Sequence, residues 1–229
     1  MENNRSSKVV AIAALLVAVV GLSIGFAAFS NTLKISSGAT VTPDSDTFKV
    51  RFSSTEGTTT GGTVTGKALT GEGYVAGATA DDATINNDAT EGDNVVVPKI
   101  SGLNAQFTHP GQTVEYDFFV RNDGEYIAYL KSITFGSKAC AAVTEGVDAA
   151  DQADSAKVAA ACNDITLTVK VGETAYTATN AAVTGQQIGT AAAVPVKVTI
   201  DYAKSDASPV DGPFTVTFGD VVLVYSSVQ

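Results

Sequence analysis

The stretches Val114-Glu115-Tyr116-Asp117-Phe118-Phe119-Val120 and Val194-Pro195-Val196-Lys197-Val198-Thr199-Ile200-Asp201-Tyr202 decide the fold. In each, large apolar residues recur at every second position, with mostly polar or charged residues between them. Period two is the spacing of a strand with one buried and one wet face, and it cannot place an apolar stripe on a helix. The same alternation returns at Phe48/Val50/Phe52 and at Ile165/Leu167/Val169/Val171. Ile127 to Phe135 predicts a further strand, more apolar on both faces. Asn122-Asp123-Gly124-Glu125 supplies turn residues for a hairpin between two of these runs. The last strand, Phe214 to Tyr225, alternates as far as Phe218 and becomes apolar on both faces after Gly219-Asp220, which predicts a bulge there. Only Asp148 to Ala161, alanine-rich with aspartate at its start, predicts a helix. Short strands separated by Gly, Pro and Asn turns define an all-β fold: an antiparallel β-sandwich or jelly roll with one short helix inserted.

The 229 residues hold 24 acidic against 14 basic side chains, a net charge of −10, with one histidine, two cysteines and no tryptophan. No Lys/Arg stripe is available for phosphates, so a nucleic-acid partner is not expected. A single histidine leaves little for a zinc site. Residues 1–27 have the order of a secretory leader: Arg5 and Lys8, an apolar run from Val9, then small residues at Gly25 and Ala27. Two fates are open, cleavage between Ala27 and Ala28 or retention as a membrane anchor; both place the remainder outside the cytoplasm. Membrane contact is expected only through this leader. Residues 28–41 alternate again, with Phe29, Leu33 and Ile35 on one face. They predict either the domain's own first strand or one donated to a neighbour. Residues 42–229 form the domain. Its segment 53–94, almost all Thr, Gly, Ala, Asp and Asn, is expected as a surface excursion with one or two short strands.

Candidates for chemistry are few. Cys140 and Cys162 flank the predicted helix; an even pair in an exported chain predicts a disulfide, the alternative being two free thiols. His109 lies in the turn-like Thr108-His109-Pro110-Gly111 and is expected to be solvated. Asp81-Asp82, Asp88/Glu91/Asp93 and Asp148/Asp151/Asp154 lack the spacing of a calcium loop and predict solvated surface. HExxH, GxSxG and P-loop motifs are absent from the sequence. No catalytic residue, cofactor or metal is expected, and the chain is not expected to be an enzyme.

Several short motifs occur in a telling order: Ala27-Ala28-Phe29-Ser30-Asn31, Ser36-Ser37-Gly38, then Leu103, Pro110-Gly111-Gln112, the strand Tyr116 to Asn122, and Gly124 before Ile127. In this order the chain resembles the TasA/camelysin family of bacterial matrix-fibre proteins and related archaeal bundling pilins. Segment 53–94 and the cysteine pair depart from that pattern. The resemblance implies a jelly-roll subunit, processed by a signal peptidase and secreted. Copies would assemble head to tail into biofilm-matrix fibres or pili, Ala28 to Ile35 completing the sheet of the next copy. Two other readings compete with this one: a membrane-anchored monomeric adhesin presenting its Thr/Gly-rich loops, and an exported hydrolase with a carboxylate pair.

Overall fold

The computed structural model describes residues 47–57, 61–87, 95–177, 181–183, 186–203 and 208–228. The chain separates into two compact units, 1–41 and 42–229, and every described residue belongs to the second. The leader, the Ala27–Ala28 junction and the strand bearing Phe29, Leu33 and Ile35 therefore lie outside the described residues.

Strands are numbered along the chain, and their pairings are antiparallel. One sheet runs β1 (Val50–Ser53), β8 (Thr113–Asn122), β15 (Ala193–Tyr202), β11 (Ile165–Val171), β12 (Thr174–Tyr176), with β3 (Lys67–Ala68) also on β8. A second runs β13 (Ala181–Ala182), β9 (Ala128–Phe135), β17 (Val221–Ser226), β6 (Lys99–Ser101), β4 (Ala83–Asn86), β2 (Gly62–Val64). Here β14 (Gln187–Ile188) joins β9 and β5 (Val95–Val96) joins β17. A third, shorter sheet is β10 (Lys138–Ala142), β16 (Phe214–Phe218), β7 (Asn104–Phe107). The helix α1 spans Ser155–Asn163.

The alternation selects the buried face. Val114, Tyr116, Phe118 and Val120 of β8 and Val196, Val198, Ile200 and Tyr202 of β15 are all buried, and the register sets Val198 beside Tyr116. Leu130 and Ile133 of β9 and Leu223 and Tyr225 of β17 are buried in the same core cluster. Tyr202 meets Phe214 edge-on at 5.4 Å and Phe107 at 5.8 Å, which ties the first sheet to the third. The Tyr116 hydroxyl accepts from the Asn104 amide (3.2 Å) and donates to the Asn104 carbonyl (2.7 Å). Burial above all pushes its phenol pKa up. The fold is thus the antiparallel sandwich that the alternation predicts.

Four local expectations change. First, Asn122–Glu125 is not a hairpin turn, because β8 and β9 belong to different sheets. The segment is an arch between layers, locked by the buried Asn122. Its side-chain amide donates to the carbonyls of Tyr126 (2.7 Å) and Ile188 (3.1 Å), and its oxygen accepts from the Gly124 amide (3.0 Å). A Cβ on Gly124 would stand 2.6 Å from the Thr47 carbonyl oxygen, so the chain before β1 can lie here only against glycine. Second, Phe214 to Tyr225 is two strands. At Gly219 the chain leaves the third sheet for the second, where it meets Gly136, the joint between β9 and β10. A Cβ on Gly136 would lie 2.3 Å from the Gly219 carbonyl carbon. The ladder continues through this corner by Gly136 N–H to Asp220 O and Gly219 N–H to Ser137 O, each 2.9 Å. The bulge sits further on, at Val224/Tyr225.

Third, the helix begins later than its alanines suggest. Asp154 is its N-cap, accepting from the amides of Ala156 (2.9 Å) and Lys157 (3.1 Å), while 148–153 are turns. Fourth, the described parts of segment 53–94, residues 53–57 and 61–87, are woven into the sandwich rather than laid over it. They supply β2, β3 and β4, and Val64, Ala78, Ala83 and Ile85 are buried. Asn87 closes on β1, its side chain accepting from the Phe52 amide (2.7 Å) and donating to the Phe52 carbonyl (2.9 Å).

Candidate functional site: an open strand edge beside the disulfide

The hairpin β11–β12 turns through Gly172 and Glu173, with Val171 opposite Thr174. Gly172 has φ +57°, the left-handed conformation that the first loop position of a type II′ turn requires. Residues flanking a two-residue loop form a hydrogen-bonded pair, so Val171 directs its amide and carbonyl toward β12. The next residue confirms the phase, since the Gly172 amide bonds to the opposite neighbour, the Pro195 carbonyl in β15, at 2.9 Å. By period two, Val169, Leu167 and Ile165 also turn their backbone groups away from β15.

The strand β12 is too short to cover them all. Its pairing with β11 ends at Val169–Tyr176, while β15 pairs with β11 back to Ile165–Tyr202. Among the described residues no strand pairs with Ile165–Thr168 on that side. Across the sandwich, the pairing of β13 with β9 among the described residues covers Ser132 and Ile133, short of the end of β9 at Phe135. The two incomplete edges bound a cleft of about 670 Å³. Phe135, Phe218, Ile165 and Leu167 give it apolar walls, each under a tenth exposed, and Thr166, Thr168 and Ser137 add hydroxyls. An open edge with an apolar pocket beside it is the arrangement into which an added strand fits. Backbone groups supply the pairing and alternate side chains fill the pocket.

Next to the cleft-lining Lys138, β10 carries one half of the disulfide. Cys140 of β10 and Cys162 of α1 are joined, with Cα atoms 6.0 Å apart. The helix, only nine residues long and burying just Val158 and Ala161, lies against β10 through that bond. Its C-terminus is held by Asp164, whose carboxylate accepts from the Ser208 amide (2.8 Å). Lys138, two residues before Cys140, reaches over from β10. Its ammonium donates to the carbonyls of Cys162 and, at 2.8 Å, Ile165. Burial lowers the Lys138 pKa, and the nearby Asp164 opposes that shift.

Of the residues singled out in the sequence, Cys140 and Cys162 come together as the expected disulfide, two residues along β10 from the cleft-lining Lys138. His109 is exposed, its Nδ1 2.9 Å from Thr108 Oγ1. Asp81, Asp82, Asp148, Asp151 and Asp154 are all exposed, and Asp88, Glu91 and Asp93 lie outside the described residues. No group of three or more His, Cys, Asp or Glu able to hold a metal occurs among the described residues. No described helix is long and apolar enough to cross a membrane. Sequence reasoning missed Lys138 and the open half of β11. Each depends on which strand is the neighbour, and no local signal carries that. No family model, curated protein or solved structure matches the chain.

Proposed function

We propose that this chain is a secreted structural subunit that polymerises into extracellular fibres. In this reading the segment Ala28 to Ile35 of one copy pairs with the open edge of β11 in the next. The observation that carries it is the stretch Ile165–Thr168, which no strand among the described residues pairs with on that side, beside an apolar cleft. Four residues of strand are about 13 Å long. Leu33 and Ile35, two positions apart, have the spacing of Ile165 and Leu167 and would enter the cleft on the same face. Burying each such side chain is worth about 1.5–3 kcal/mol, which offsets much of the entropy of ordering a short segment. The contact is head-to-tail and need not close on itself, so it propagates. The resemblance to matrix-fibre proteins supports the same reading, as does the leader that precedes the donor segment.

The test compares a chain starting at Ala28 with one starting at Ser36, by electron microscopy and size-exclusion chromatography. Fibres are expected from the first alone, with both keeping the circular dichroism of β-structure. Leu33→Asp is expected to weaken assembly more than Thr32→Asp, because only Leu33 shares the apolar face. Fibres from the Ser36 chain equal to those from the Ala28 chain would rule out strand donation. Secreted material that retains Met1 on a membrane would favour an anchored adhesin instead.

A further inference from the structure

The open edge of β11 is not bare. Three backbone groups matter on the half that no strand among the described residues pairs with: the Ile165 carbonyl and the amide and carbonyl of Leu167. The first is occupied by the Lys138 ammonium at 2.8 Å. An incoming strand would need that same carbonyl for its own N–H. A lysine laid over a sheet edge is a known means of blunting it, since its charge must be displaced before another strand can pair.

The position of Lys138 is fixed from both sides. It starts β10, immediately after the Gly136/Gly219 corner, in register with Phe218. The carbonyl of Cys162, its second acceptor, is held by the disulfide to Cys140. Among the described residues that line the cleft, Lys138 is the only charged one. Asp164 lies near enough to be felt, but its carboxylate is engaged by the Ser208 amide.

We propose that Lys138 is a gatekeeper of the β11 edge, holding it closed to strand pairing until the donor segment of another copy displaces the ammonium. The donor's identity rests on the fibre reading above; the blunting of the edge does not. Displacement needs no rearrangement of the sandwich, because Lys138 is an exposed residue whose head can return to water.

The experiment uses Lys138→Met, which keeps the apolar stem, Lys138→Gln as a second neutral variant, and Lys138→Arg, which keeps the charge. Each is made in the chain starting at Ala28 and in the chain starting at Ser36. Both retain every core residue from Phe48 to Tyr225. In the Ser36 background the wild type and Lys138→Arg are expected to stay monomeric. The neutral variants are expected to self-associate, with the Leu167 amide becoming protected from hydrogen exchange. In the Ala28 background the neutral variants are expected to shorten the assembly lag about tenfold, which corresponds to about 1.4 kcal/mol off the barrier. Neutral variants that stay monomeric from Ser36 and keep the wild-type lag from Ala28 would overturn the gatekeeper. Failure of the wild-type Ala28 chain to polymerise would overturn the fibre reading alone, and the Ser36 arm would still decide the role of Lys138.

Discussion

Replacing Cys140 and Cys162 together by serine removes the bond that holds α1 against β10, and its cost can be worked from the structure. The sequence separation is 22 residues. On the chain-entropy estimate, a loop of that size restricts the unfolded chain by about 3 kcal/mol. The folded state contributes little to the difference. The helix buries only Val158 and Ala161, and its cap at Asp154 survives the substitution. For a domain of this size each kcal/mol moves the melting temperature by roughly 2–4 °C, so a fall of about 6–12 °C is expected. The assay is urea unfolding of the wild type, oxidised and reduced, beside the double variant. The midpoint should fall in the reduced wild type and in the variant alike, while the starting β-signal stays the same. The slope should rise slightly, because an uncrosslinked chain exposes more surface when unfolded. A midpoint change worth less than about 1 kcal/mol would refute the entropic account. So would collapse of the fold without denaturant, which would make the bond a condition of folding rather than a staple.

Two more outcomes follow from buried polar groups and from charge. Gln112 is fully buried: its carboxamide oxygen accepts from the amides of Thr108 (2.7 Å) and His109 (3.1 Å), and its NH₂ donates to the Ala76 carbonyl (2.8 Å). Gln112→Ala should therefore cost about 3 kcal/mol in urea unfolding, since buried groups are left unpaired; a loss below about 1 kcal/mol would show that water replaces the side chain. Asp220 has its pKa lowered, first by the hydrogen bond from Lys99 (2.8 Å) and then by Ser101. A lowered folded pKa adds stability that is complete above the ordinary value of 3.8 and is lost as pH falls through the folded value. Asp220→Asn should remove that increment above pH 3.8, flattening the acid limb in a pH series of thermal melts while leaving stability at the acid end little changed. The exposure of the pair keeps the effect small. An unchanged acid limb would remove Asp220 as its source.

The cleft shows how far local pattern reaches. Ile165, Leu167, Phe135 and Phe218 are all predictable as inward residues from alternation, and all four line it. That they line an opening rather than a closed core depends on β12 ending at Tyr176 and, among the described residues, on β13 reaching β9 at Ser132 and Ile133. Lys138 looks like any surface lysine until the corner at Gly136 brings it beside α1. The turn motifs behave alike. Pro110-Gly111-Gln112 and Asn122-Asp123-Gly124 are visible as turns, yet the work of Gln112 and Asn122 lies in bonds to Ala76 and Ile188, far along the chain.

What the sequence determined by itself is the class of fold and which face of each strand turns inward. Period-two apolar spacing leaves β8, β11 and β15 no other way to bury their side chains. An even pair of cysteines, read together with an expected export leader, also sufficed to predict their bond. The tertiary structure alone decided which strands are neighbours, and with them everything that makes the site. The Asn122 arch crosses between sheets instead of folding back, because Gly124 admits the backbone before β1. The last strand divides because two glycines let backbones cross at a corner. The described parts of segment 53–94 join the sandwich through short paired strands and close approaches such as Gly66 against Ala80 and Tyr116, neither of which leaves an apolar stripe. The hydrophobic pattern of a strand specifies its faces, whereas its edges carry only N–H and C=O groups, identical in every residue but proline. Which edge is filled and which stays open is therefore settled by the lengths of the strands that arrive there.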